Sequence, residues 1–124
     1  MVNRVERGWG GHFCGAQSCL FRRNTLLEKD GVYVVVSSVG SMVINGKLDT
    51  VGLGRYYETM AFFSDEGDSR YHDIDVSRQI SFESKWAIAE QDADDKANDM
   101  HETVVLELSK KLEEGSLTTK LSGL

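Results

Sequence analysis

The sequence predicts an α+β fold: an antiparallel β-meander of about five or six strands with one long C-terminal amphipathic helix packed on the sheet. Three observations carry this. Two-residue turn signals, Asp30-Gly31 and Asn45-Gly46, stand between β-branched runs. Apolar and polar residues alternate around Ile74, Val76, Ile80 and Phe82. From Asp92 onward the apolar period lengthens to three and four residues. A chain of 124 residues, 40% of them hydrophobic, suits a single domain over 1–124 with a core of its own.

Taken in order, Leu20–Leu27 and Val32–Val39 are expected to pair through the Asp30-Gly31 turn, because Asp-Gly accepts the positive φ that tight hairpins need. Val32–Val36 is apolar on both parities, as in a central strand covered on both faces, and Gly40 is expected to interrupt it. Ser41–Ile44 and Lys47–Val51 flank the Asn45-Gly46 turn. A strand over Arg55–Phe63 follows, then the polar loop 64–69 and the alternating strand, whose parity Trp86 and Ile88 continue. Asp92–Glu114 reads as a helix. Ala93, Ala97, Met100, Val104, Leu108 and Leu112 form its apolar stripe, Lys110 and Lys111 sit in its last turn, and Gly115 is its stop. The tail 116–124 is expected to fray.

The formal charge of −6 is unevenly placed. Residues 1–62 balance at +2 and residues 63–124 at −8. Clustered Lys and Arg are what neutralise phosphates, so an acidic chain is a poor candidate for direct nucleic-acid binding. A module built on Arg4, Arg7, Arg22 and Arg23 is the alternative on that side. No apolar run is long enough for a membrane span, and none near the N-terminus has signal-peptide length, so a cytoplasmic location without a membrane partner is expected.

His12, Cys14 and Cys19 are the closest approach to a metal site. Zinc takes four imidazole or thiolate ligands, so a fourth would have to come from His72 or His101 far along the chain. Reduced, buried thiols are the first expectation for the two cysteines, with zinc and a Cys14–Cys19 disulfide as alternatives, and no cofactor is expected. The same cluster underlies an alternative in which the chain is a small metal- or cysteine-dependent hydrolase. No complete catalytic motif is present, so the balance leans away from an enzyme. His101 borders the apolar stripe of the helix and is expected to be half-buried and hydrogen-bonded. Asp92, Asp95, Asp99 and Glu102 recur at three and four residues and form a ridge on that helix, with Asp94 beside them.

The segments Gly8-Trp-Gly-Gly-His-Phe13, Cys19-Leu-Phe-Arg-Arg-Asn-Thr-Leu-Leu27, Arg55-Tyr-Tyr-Glu-Thr59 and Ala97-Asn-Asp-Met-His-Glu102 resemble a group of small accessory proteins carried by phages and plasmids. They cover about a quarter of the chain and map no catalytic residue. Compact acidic proteins from mobile elements include inhibitors of host defence, among them anti-CRISPR proteins. The resemblance therefore implies a non-enzymatic inhibitor that docks on a host protein or ribonucleoprotein complex with a basic groove. Asp92, Asp94, Asp95, Asp99 and Glu102 would be its contact carboxylates, and Tyr56, Tyr57 and Trp86 its aromatic anchors. A sheet with one helix leaves a face to cover, for which a second copy is a candidate.

Overall fold

A computed structural model describes residues 1–7, 19–49, 57–64, 79–84 and 93–117. These form β1 (Asn3–Glu6), β2 (Cys19–Lys29), β3 (Val32–Ile44), β4 (Lys47–Asp49), β5 (Tyr57–Ser64), β6 (Gln79–Ser84) and α1 (Ala93–Glu114). The fold is α+β. One antiparallel sheet runs in the order β1-β2-β3-β5-β6, and β4 pairs with the C-terminal end of β3.

Both hairpin turns fall where Asp-Gly and Asn-Gly place them. Asp30 and Gly31 have φ of 52° and 84°, and Asn45 and Gly46 have 52° and 76°, positive at both central positions as a type I′ turn requires. The strands on either side are longer than their apolar runs, and β3 continues through Gly40, where a break was expected. The cause is Tyr57. Gly40 lies opposite it in the β3–β5 register, and a Cβ at residue 40 would overlap the Tyr57 ring. Glycine here admits an aromatic ring against the backbone without ending the strand.

β1 has no counterpart in the sequence-based expectation. Its four residues all remain exposed, and it joins the edge of β2 through Arg4↔Leu27 and Glu6↔Thr25. The alternating strand is realised as β6, paired to β5 with a register irregularity at Ala61/Phe62. Ile74, Val76 and the expected continuation through Trp86 and Ile88 lie outside the described residues.

Side chains of alternate parity point to opposite faces. Leu27 of β2, Val34 and Val36 of β3 and Ala61 of β5 meet Val104, Val105, Leu108 and Leu112 of α1 in one core. The opposite face is shielded as well, with Val35, Val39 and Phe62 each no more than 2% exposed. The centre of the sheet therefore presents no bare apolar face, which was the ground for expecting a second copy to cover one. α1 stops at Gly115 through paired bonds, Gly115 N to Leu112 O at 3.2 Å and Ser116 N to Lys111 O at 3.0 Å, a Schellman closure. Leu117 packs against the core, so the expected frayed tail is anchored at its start, and 118–124 lie outside the described residues.

Candidate functional site

The polar centre of the molecule lies between α1 and the sheet. β2 turns Arg23 and Thr25 toward the helix, β3 turns Ser38 and β5 turns Thr59, because Arg23↔Ser38, Thr25↔Val36 and Ser38↔Thr59 are nearby rungs of one face. His101 enters from α1 and is fully buried. Its Nδ1 lies 2.8 Å from Ser38 Oγ and its Nε2 lies 2.7 Å from Thr25 Oγ1. Ser38 Oγ is 2.6 Å from Thr59 Oγ1. Thr25 Oγ1 in turn donates to the Glu6 carboxylate, at 2.9 and 3.0 Å to its two oxygens.

These bonds fix a direction. A hydroxyl has one proton to give, and that of Thr25 goes to Glu6. Thr25 Oγ1 must then accept from His101, which places the imidazole proton on Nε2. Nδ1 accepts from Ser38, and Ser38 accepts from Thr59. Thr59, Ser38, His101 and Thr25 each donate toward the Glu6 carboxylate, which accepts. A second proton on His101 would oppose Ser38. Burial, with Arg23 nearby, accordingly pushes its pKa down to about 4, so the ring is neutral at pH 7.

An ionic cap closes the chain on the side of β1. Arg4 Nη2 is 2.6 Å from Glu102 Oε2 and 2.7 Å from Glu6 Oε2. Arg23 Nη1 donates to Glu102 Oε2 and to Asn98 Oδ1, each at 2.8 Å, and its Nη2 reaches Glu6 at 2.8 Å. The bond from Arg4, helped by Arg23 against some burial, holds Glu102 down to about 2. Burial works to raise the Glu6 carboxyl, but bonds from Arg23, Arg4 and Thr25 outweigh it and leave it below its usual value.

The chemistry open to this arrangement is limited by access. Ser38, Thr25, Thr59 and His101 are all buried, so no hydroxyl is presented to a substrate. Both nitrogens of His101 are engaged, so it does not complete a ligand set with Cys19. Cys19 is buried at the start of β2. Burial pushes its thiol up to about 11 against a bond from the Gly40 backbone, the opposite of an activated nucleophile. His12, Cys14 and His72 lie outside the described residues. Among the described residues no three His, Cys, Asp or Glu side chains converge as metal ligands, and no helix is long and apolar enough to cross a membrane.

The expected partner-contact residues separate into groups. Asp95 and Asp99 stand exposed on α1, and no ion pair engages either among the described residues. Glu102 leaves the ridge and turns to Arg4 and Arg23, because one turn on from Asn98 it faces β1 and β2. Tyr57 is a correction. It lies 3% exposed among Phe21, Gly40 and Ala97, its ring edge-on to Phe21 at a centroid distance of 6.0 Å, because its position in β5 points it at α1. Asp92, Tyr56 and Trp86 lie outside the described residues, and Asp94 is described in its helical backbone only. Three arginines of the basic set have partners in the fold. Arg4 and Arg23 are held by carboxylates, and Arg7 Nε donates to Asn24 Oδ1 at 2.8 Å.

Sequence reasoning placed His101 at the edge of the stripe but missed its partners Ser38 and Thr25, and Thr59 and Glu6 beyond them. The one available signal was a serine pair, Ser37-Ser38, inside an otherwise valine-rich strand. Comparison with family models, curated proteins and solved structures finds no match to this chain.

Proposed function

We propose that the chain is a non-enzymatic binding protein that docks the outward face of α1 on a basic groove, as an inhibitor of a bacterial defence complex that handles nucleic acid. What supports this is the way α1 divides its carboxylates. Glu102 is neutralised inward by Arg4 and Arg23, whereas Asp95 and Asp99 remain exposed and without ion pairs among the described residues. The two carboxylates, one turn apart, thereby share one exposed helix face. Leu106 lies on the same side and is 67% exposed, an apolar anchor beside the charges. Carboxylates so placed attract Lys and Arg ordinarily occupied by phosphates, and they speed encounter at low salt.

Affinity capture from a bacterial lysate, with mass spectrometry of what is retained, tests this reading. The expected result is a nucleic-acid-handling complex whose retention falls with salt and is lost with Asp95→Lys and Asp99→Lys together. If the double reversal leaves every captured protein in place and insensitive to salt, docking through this face is wrong.

A further inference from the structure

We propose that β1 is a self-complementary edge through which two copies of this chain join their sheets, in antiparallel register about a two-fold axis at Val5. Among the described residues β1 is the terminal strand of the sheet, and all four of its residues are exposed. Arg7 N donates to Asn24 O, which makes that rung a hydrogen-bonded pair. Counting back along the β1–β2 register, Asn3 and Val5 also turn their backbone groups toward β2. The amide and carbonyl groups of Arg4 and Glu6 therefore point outward from the edge.

A second β1 meets those groups in the register centred on Val5. Arg4 then lies opposite Glu6 of the second copy, Glu6 lies opposite its Arg4, and four backbone hydrogen bonds close the gap. Val5, 51% exposed on the face away from α1, meets its own symmetry mate in the close, non-hydrogen-bonded rung. The neighbouring symmetric registers fail on charge. Centring on Arg4 opposes two guanidiniums, and centring on Glu6 opposes two carboxylates. In the favoured register Arg4 and Glu6, already 2.7 Å apart within the strand, become a ring of four alternating charges. Charged residues on an edge ordinarily repel a stray strand. Here the same charges exclude arbitrary partners and admit a second copy, the isologous pairing expected of a two-fold dimer.

Sedimentation of the whole chain over a concentration series, combined with engineered cysteines, tests the inference independently of any partner on α1. A monomer–dimer equilibrium is expected. Val5→Lys should weaken it by about tenfold or more, because it sets like charges face to face. That change touches no bond of the core, so the thermal midpoint measured at a concentration where both chains are monomeric should stay put. Under mild air oxidation Val5→Cys should form a disulfide with its own mate, because that rung brings the two Cα atoms to ~4.5 Å. Asn3→Cys, on the same face but roughly 14 Å from its mate in this register, should not. Peptide mapping separates these bonds from any involving Cys14 or Cys19. A chain that stays monomeric at millimolar concentration overturns the proposal. So does a dimer in which Val5→Cys fails to bridge, or in which Asn3→Cys bridges as readily.

Discussion

Ser38 and Thr59 face each other across β3 and β5 with their hydroxyl oxygens 2.6 Å apart, and both are shut off from solvent. Removing the Ser38 hydroxyl would strand Thr59 Oγ1 and His101 Nδ1, whereas removing that of Thr59 leaves Ser38 still bonded to His101. The pair anchors a file of donors that runs through His101 and Thr25 to Glu6, so the sheet and the helix are joined by polar contacts as well as by valines and leucines.

Ser38→Ala should destabilise the fold by about 1–3 kcal/mol, because it leaves His101 Nδ1 and Thr59 Oγ1 buried without their partner. Adding Thr59→Val should cost less than the two single changes summed, since the stranded hydroxyl is then gone. Urea unfolding of the four proteins, with an unchanged dependence on denaturant, measures the coupling.

Stability should fall in two separable stages as pH drops. His101 titrates near 4 in the fold and at its ordinary value of 6.5 when unfolded, so the unfolded chain binds the extra proton. Its contribution is complete above 6.5 and is lost as pH falls toward 4, by about 3 kcal/mol at most. Glu102 is held near 2 against an ordinary 4.5, so its part is present above 4.5 and disappears between there and 2. His101→Gln should flatten the upper stage and leave the lower one. An unchanged slope between pH 6.5 and 4.5 in that variant would show that the imidazole does not drive it.

The ionic cap should be modest and graded by burial. Arg4 and Glu102 are each 36% exposed, so a double-mutant cycle on them should give below about 1 kcal/mol, shrinking in salt. Arg23 is 20% exposed and also holds Asn98, so its coupling to Glu102 should be the larger and less salt-sensitive. Equal couplings would mean that burial does not set the difference.

Gly40→Ala should destabilise by about 1–3 kcal/mol, because the new methyl overlaps the Tyr57 ring. Shrinking the ring with Tyr57→Ala removes that overlap, so the double variant should lie closer to Tyr57→Ala alone than additivity allows. Thermal unfolding of the set measures it.

Hairpins and helix were legible because their signals are local. Asp30-Gly31 and Asn45-Gly46 dictate their own φ values, and the three-and-four spacing from Ala97 to Leu112 needs no knowledge of the sheet. β1 was not legible, since its single apolar residue, Val5, lies between Arg4 and Glu6 and reads as solvated chain. The polar centre was half legible. The position of His101 in the helix predicts burial, but Ser38, Thr59 and Glu6 come from three strands that only the sheet register brings under it. Glu102 shows the same limit. Spacing put it in line with Asp95 and Asp99, and only the arrival of Arg4 from β1 and Arg23 from β2 turns it inward.

β3 is apolar toward both faces, with Val34 and Val36 under α1 and Val35 and Val39 behind. A slip of one residue would leave a valine at one of the two helix-facing positions of Val34 and Val36, so hydrophobicity constrains only weakly the alignment of the strand at the centre of the sheet. Its alignment is set by its ends, where two-residue turns leave no slack, and by the Ser38 rung, where a slip in one direction would offer the methyls of Val39 to a buried imidazole. Ser38 thus acts as an indexing pin of the sheet against slips that bring Val39 under the imidazole.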